Sequence, residues 1–250
     1  MRIMPATMVA TLILLYRKGI SIPTLAKKMS WLGMALLKRG VTLSSDEGLP
    51  SETTLKIGLQ HLYEYLTQKR DILAPKVLLN ADKCNDYSNF IMLGYYRNPL
   101  NWVFFNEAII VCSLLSSPSA EVWSKGMPLE DLFLKACWLA KFLKREEVLK
   151  ERIEEGNRAY FDKLIDFMQE ERLLTIKDGI VVPKSSGEAT MLLIGSICWP
   201  MIDSYYIVAV LALSLCKKKD EEETKFGKDA QWIAETLFEE GRISYFESCN

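Results

Sequence analysis

Apolar positions recur along most of the chain at helical spacing. The opening stretch, MRIMPATMVATLILL, is apolar until Tyr16-Arg17-Lys18-Gly19 ends it abruptly. Pro5 suits a first helical turn and Gly19 a C-terminal cap. About 13 apolar or small residues are too few for a bilayer, which needs about 20. No small-residue cleavage site follows, so the stretch reads as a buried helix rather than a signal peptide. Leu25, Met29, Leu32, Leu36 and Leu37 place a second helix at 23–39, closed by Gly40. Ser51, with Glu52 and Thr54 beside it, starts a third. Its stripe of Leu55, Leu59, Leu62, Tyr63 and Leu66 predicts helix through Gln68.

Residues 72–79 are short and β-like, interrupted by Pro75, and 80–89 form a polar connector. A strongly apolar run fills 100–115, and 116–126 reads as a loop. Two helices follow, at 129–144 and 146–171. The second buries Tyr160, Phe161, Leu164, Ile165 and Met168. Two β-branched runs around Asp178-Gly179 are the strongest hairpin signal in the chain. Residues 190–216 are apolar. A charged connector, KKKDEEETK, precedes a last helix at about 226–240.

The expected architecture is mainly α: a helical bundle with one or two short β-hairpins, in sub-units of about 1–90 and 95–250. Residues 5–79 run helix, helix, helix, strand-like segment, and residues 100–183 repeat that order. It is also the order of a winged-helix module, so winged-helix-like units in tandem are an alternative. A DNA-reading version needs basic and amide side chains on its third helix. The first unit offers Lys56, Gln60 and His61 there, but also Glu52 and Glu64. The second carries Glu146, Glu147, Glu151, Glu154 and Glu155, which repel phosphate. No nucleic-acid partner is expected.

Composition agrees. The 250 residues carry 31 Lys plus Arg and 32 Asp plus Glu, a net charge of −1, with 49% apolar and 25% charged residues. Those values exclude a disordered chain and nucleic-acid binding through overall charge. The six cysteines are Cys84, Cys112, Cys137, Cys198, Cys216 and Cys249, none in a Cys-x-x-Cys pair. Cys112, Cys137, Cys198 and Cys216 lie in apolar stretches and suit a reducing compartment without disulfides.

Candidate chemistry is sparse. His61 is the only histidine. That excludes a multi-histidine metal site, and the position five residues on is Leu66, not a carboxylate. No G-x-x-x-x-G-K phosphate loop and no G-x-S-x-G elbow occurs. Asp162 and Asp166 sit one helical turn apart, where a solvated face accounts for them. Two apolar segments raise the question of a membrane. Asn106 and Glu107 interrupt 100–115, and Trp199-Pro200 and Asp203 fall near the middle of 190–216. An acid at a bilayer centre costs roughly 2.5–3.5 kcal/mol, and Pro breaks or kinks a helix. The expectation is two packed helical pieces facing protein, with peripheral membrane contact.

Four blocks carry a family resemblance across nearly the whole chain. Tyr95-Tyr96-Arg97-Asn98-Pro99-Leu100, followed by Phe104-Phe105-Asn106-Glu107-Ala108-Ile109-Ile110-Val111-Cys112-Ser113-Leu114, resembles the glycerol-3-phosphate and dihydroxyacetone-phosphate acyltransferase family, in the part downstream of its catalytic domain. Ile3-Met4-Pro5 through Ile20 resembles the opening of that downstream region. Trp199-Pro200-Met201-Ile202-Asp203-Ser204-Tyr205-Tyr206 resembles a later Pro-x-x-acid-x-Tyr block, and Gly241–Ser248 a near-terminal one. Asn106 through Leu114 leans toward the mitochondrial glycerol-3-phosphate branch.

The resemblance implies a parent enzyme that moves an acyl group from acyl-CoA to the sn-1 hydroxyl of glycerol 3-phosphate, in phospholipid and triacylglycerol synthesis. In the family a His acts as general base and an Asp five residues on orients it. That His-x-x-x-x-Asp motif is absent here, as are the Gly-x-x-Phe-Ile-Arg and Pro-Glu-Gly-x-Arg-Ser blocks. Phe238-Glu239-Glu240-Gly241-Arg242-Ile243-Ser244 mimics the last only superficially, at the wrong end of the order. No catalytic, cofactor-binding or metal residue is therefore carried over, and acyl-CoA is the parent's substrate rather than a cofactor. The chain reads as the non-catalytic C-terminal region, a fragment or an isoform, inactive alone. Its implied partners are the parent's acyltransferase domain and a membrane surface. The implied location is the mitochondrial outer membrane, with peroxisome or endoplasmic reticulum as alternatives. Removing the neighbouring domain is expected to expose Trp102, Phe104, Phe105, Trp199, Tyr205 and Tyr206. Arg97 is expected at the surface, or paired with an acid of that domain. The rival reading is a stand-alone helical, tandem winged-helix-like interaction module without enzymatic activity.

Overall fold

A computed structural model describes residues 2–44, 50–79, 85–117, 119–144, 152–215 and 223–249. In chain order the elements are β1 (Arg2–Ile3), α1 (Pro5–Leu15), β2 (Ile20–Ser21), α2 (Ile22–Lys38), β3 (Thr42–Leu43), α3 (Glu52–Leu62), β4 (Leu66–Lys69), β5 (Ile72–Pro75), β6 (Leu78–Leu79) and β7 (Asn85–Asp86). They continue with α4 (Ser88–Arg97), α5 (Asn101–Leu115), α6 (Ser119–Lys125), β8 (Met127–Pro128), α7 (Leu129–Phe142), α8 (Arg158–Glu170), β9 (Leu174–Lys177), β10 (Ile180–Pro183), α9 (Glu188–Leu215) and α10 (Glu223–Glu239). The fold is mainly α, as the periodicity predicts. Two compact units divide the chain: 1–103 with 206–250, and 104–205.

The first unit is built on α1, buried from Pro5 through Leu14. Pro5 occupies its first turn, where a missing N–H costs nothing. Ser21 caps α2 by accepting from the Thr24 amide. Ser51 and Thr54 close a reciprocal capping box on α3. That helix stops at Leu62, six residues before the expected Gln68. Leu66–Lys69 instead pairs antiparallel with Ile72–Pro75 across a turn in which Arg70 holds a left-handed φ of 57°. Strand β2 joins the far edge, Ile20 opposite Leu73, giving the order β2-β5-β4.

The second unit repeats this plan. Helices α6, α7 and α8 precede the hairpin β9–β10, and β8 joins it in the order β8-β10-β9. Asp178 (φ 50°) and Gly179 (φ 75°) form the two-residue primed turn their sequence predicts. The correspondence extends to single hydrogen bonds. Ile22 donates to the Asp71 carbonyl at 2.9 Å, as Leu129 does to the Gly179 carbonyl at 2.9 Å. Lys76 donates to Tyr65, and Lys184 to Leu173, each at 2.8 Å. Gly19 and Gly126 both enter the first strand with positive φ, 115° and 76°. A Cβ at Gly19 would meet Ile72 at 2.6 Å, and one at Gly126 would meet the Val181 carbonyl oxygen at 2.5 Å. Helix, strand, helix, helix and hairpin, with the first strand on the hairpin's second, is winged-helix topology. Both units have it.

Several expectations are corrected. The predicted 116–126 loop contains α6. The predicted 80–89 connector ends in α4, which begins at Ser88. The helix expected from residue 146 begins at Arg158, because residues 152–157 take extended and single-turn conformations. Glu146, Glu147, Glu151, Cys84, Cys216 and residues 45–49 and 217–222 lie outside the described residues. The two helical pieces expected in 190–216 are one 28-residue helix, α9, continuous through Pro200. Met191, Leu193, Ile194, Ile197 and Cys198 are buried around that turn, so packing outweighs the backbone bond that Pro removes.

Candidate functional site

The residues singled out for chemistry do not converge. His61 is exposed on α3, and Leu66 lies in the following strand. Asp162 accepts from Arg158 at 2.8 Å, and Arg158 also donates to Glu130 at 2.6 Å while lying over the Phe133 ring at 4.4 Å. Those contacts tie α7 to α8, and the two carboxylates push the Arg158 guanidinium up from its ordinary value. Among the described residues Asp166 accepts from Gln169, at 3.5 Å. Cys112, Cys137, Cys198 and Cys249 are buried thiols, and burial pushes the Cys137 thiol up, away from thiolate chemistry. Phe238–Ser244 forms a helix end. Gly241 takes φ 71°, and Arg242 donates to the Leu237 carbonyl at 2.8 Å, a Schellman cap rather than a phosphate loop. Among the described residues no group of His, Cys, Asp and Glu could hold a metal ion.

Charge is concentrated instead in the interior of the first unit. Arg97, at the end of α4, is 5% exposed. This corrects both readings offered for it, since its partner is Glu247 of the same chain. The Glu247 Oε1 accepts from Arg17 at 2.8 Å and lies 3.5 Å from Arg97 Nη1. Arg17 lies over the Tyr245 ring at 4.7 Å and the Phe90 ring at 5.4 Å. Two guanidinium groups thus share one carboxylate, while Arg17 Nη1, Arg97 Nε and Glu247 Oε2 are buried without partners. Burial pulls Arg97 below its ordinary value, and Glu247 opposes the shift. Around this cluster Tyr87, Phe90, Phe238 and Phe246 pack ring to ring, with centroids 5.0 to 6.4 Å apart. Segment 206–250 is held to the first unit by these contacts.

Apolar surface is the other feature. Trp102 and Tyr206 are exposed, as the sequence suggests, and Trp199 and Tyr205 are half-buried. Phe104 and Phe105 are core residues at 1% exposure, on a helix buried at nearly every position from 104 to 114. Residues the sequence did not flag are exposed as well. Leu213 is at 73%, with Val208 and Val210 beside it on α9. Between residues 206 and 214 only Ile207 and Leu211 are buried, and no charge falls between Asp203 and Cys216. On α7, Leu134, Trp138 and Phe142 are exposed at helical spacing. The signal was present: α7 is apolar on more than one face. By length and composition α9 could cross a membrane, and about 33% of its most apolar window is buried. Asp203 sits within it. Its Oδ2 is buried without a partner, and burial pushes the carboxyl up to about 6.

A search of curated protein sequences returned no match to the chain. A family model described as the glycerol-3-phosphate acyltransferase C-terminal region matches residues 1–250. With the four sequence blocks in order, and with that match running end to end, the chain belongs to the C-terminal region family of glycerol-3-phosphate acyltransferase.

Proposed function

We propose that this chain is the non-catalytic part of a glycerol-3-phosphate acyltransferase. The whole enzyme transfers an acyl group from acyl-CoA to the sn-1 hydroxyl of glycerol 3-phosphate. The observation that carries the reading is the exposed apolar half of α9, residues 206–214, on a chain matched throughout by the family model. Exposed contiguous apolar surface of that kind marks an interface. The chain then serves as a helical platform, with the acyltransferase domain as one neighbour and a membrane surface, in the mitochondrial outer membrane, as the other. The unpartnered Asp203 and the helix-interior Pro200 favour contact with the bilayer over crossing it.

Two measurements test this. The purified 250-residue chain, given labelled glycerol 3-phosphate and acyl-CoA, should show no turnover, whereas the same chain joined to a domain bearing His-x-x-x-x-Asp should. High-pH carbonate should release the chain from membranes. Turnover by the chain alone, or carbonate-resistant retention with residues 190–216 protected from protease, overturns the reading. The duplicated winged-helix topology favours a second reading, an interaction module without enzymatic activity. It is chosen if the gene encodes no His-x-x-x-x-Asp block upstream. Acidic Glu52, Glu64, Asp162 and Asp166 on or beside the third helices disfavour nucleic acid as the partner in either reading.

A further inference from the structure

The second unit holds a cavity of about 320 Å³ between α5, α7 and α9, within the range of small-ligand sites. Its walls are apolar: Cys112 from α5, Leu139 from α7, Trp199 and Ile202 from α9. Its polar lining residues are Ser113, Ser116 and Lys135. Lys135 donates to Ser116 Oγ at 3.2 Å and to Ser117 Oγ at 3.1 Å. An ammonium has three N–H donors, so one remains, and no carboxylate neutralises Lys135 among the described residues. One turn before Ser116, Ser113 lines the same cavity at 3% exposure, with its Oγ buried and unpartnered. Ser116 itself donates to the Ser113 carbonyl at 2.7 Å. At the rim Trp138, 65% exposed, stacks on Phe142 with centroids 5.3 Å apart, and Phe142 packs on Tyr205 at 4.5 Å.

We infer that this cavity binds a single-chain anionic amphiphile, its hydrocarbon chain against Leu139, Trp199 and Ile202 and its oxyanion at Lys135 and Ser113. The physical case has three parts. An apolar cavity gains by filling with hydrocarbon rather than water. A lysine bonded to hydroxyls and to no carboxylate is stabilised by an anion. A buried hydroxyl without a partner recovers its desolvation cost when an acceptor oxygen arrives. The exposed aromatic rim is of the type that sits at a lipid–water boundary, where such amphiphiles are found. A fatty carboxylate and an alkyl phosphomonoester share the required chemistry. The inference concerns the second unit alone and goes beyond the platform role, so binding by the 250-residue chain tests it separately from acyl transfer.

The probe is ω-bromododecanoate, which quenches tryptophan on contact, titrated into the chain below its micelle concentration. Saturable quenching is expected, reduced in Trp138→Phe. Dodecanoate and dodecyl phosphate should displace the probe, and dodecanol should be about tenfold weaker, the margin of a charge-assisted bond. The tighter of the two anions identifies the source. Each methylene added to the chain should tighten binding about fourfold until the cavity is full. Lys135→Gln should erase the preference for anions over dodecanol while the thermal melt stays unchanged, and Ile202→Trp should abolish quenching. Non-saturable quenching, equal binding of dodecanol, or an unaltered preference in Lys135→Gln overturns the assignment. So does displacement by an added acyltransferase domain with no distinction between anion and alcohol, which would make the cavity a socket for that domain.

Discussion

Arg17 and Glu247 are 230 residues apart in sequence and form a 2.8 Å ion pair inside the first unit. Glu247 also faces Arg97, so it is the common counter-charge of two guanidinium groups. Removing one partner of a buried pair costs about 3–5 kcal/mol, because the other charge is left desolvated. Glu247→Ala should therefore destabilise the chain by about 3 kcal/mol in urea titration. Arg97→Met should cost less, since one arginine and one carboxylate still balance. Equal losses in the two variants would show that the pair is not the counted unit.

The matched glycines give a graded prediction. Gly126→Ala places a Cβ 2.5 Å from a backbone oxygen, Gly19→Ala 2.6 Å from a side-chain methyl, and Gly179→Ala meets nothing within 4 Å. All three keep a positive φ. The open site should lose only the left-handed backbone penalty, about 1 kcal/mol. Gly19→Ala should lose about 2, and Gly126→Ala the most, since a strand carbonyl cannot swing aside as a side chain can. Thermal melts rank them, and an inverted order would break the structural equivalence of the two entry turns.

Asp203 predicts a pH dependence. Its carboxyl moves from 3.8 to about 6 on folding, so between those values the folded chain binds more protons than the unfolded one. Stability should fall as pH rises from about 4 to about 6, and stay lower above. Asp203→Asn should remove that slope and stabilise the chain at pH 7 by about 1 kcal/mol, a figure reduced for solvent screening at a part-exposed site. Unfolding midpoints at pH 4 and pH 7 check the sign.

Leu213→Lys with Val210→Lys changes two exposed positions on α9. Stability should shift by no more than about 0.5 kcal/mol. Self-association and liposome binding should drop, because the changed face is apolar surface rather than core. Light scattering and vesicle flotation read both, and unchanged flotation would remove α9 from the membrane-facing surface.

The sequence by itself determined the mainly α class, the starts of α1 at Pro5 and of α3 at Ser51, the close of α2 at Gly40, and the hairpin at Asp178-Gly179. In each case the signal is local: a stripe, a capping Ser, or a dipeptide whose φ values only one turn accepts. It also carried the family, through blocks whose residue types need no tertiary context. The first hairpin was hidden because Arg70-Asp71 lacks a glycine and Leu66 continues the stripe of α3. Strand pairing with β5 and β2 decides that segment against its helical period. Continuity of α9 through Pro200 was equally illegible, since local propensity breaks a helix there and only the buried side chains around it restore one. Glu247 gives no sign in sequence of being other than a surface acid. Its role exists only because residues 206–250 return to the first unit and bring a carboxylate to two arginines that burial has stripped of water.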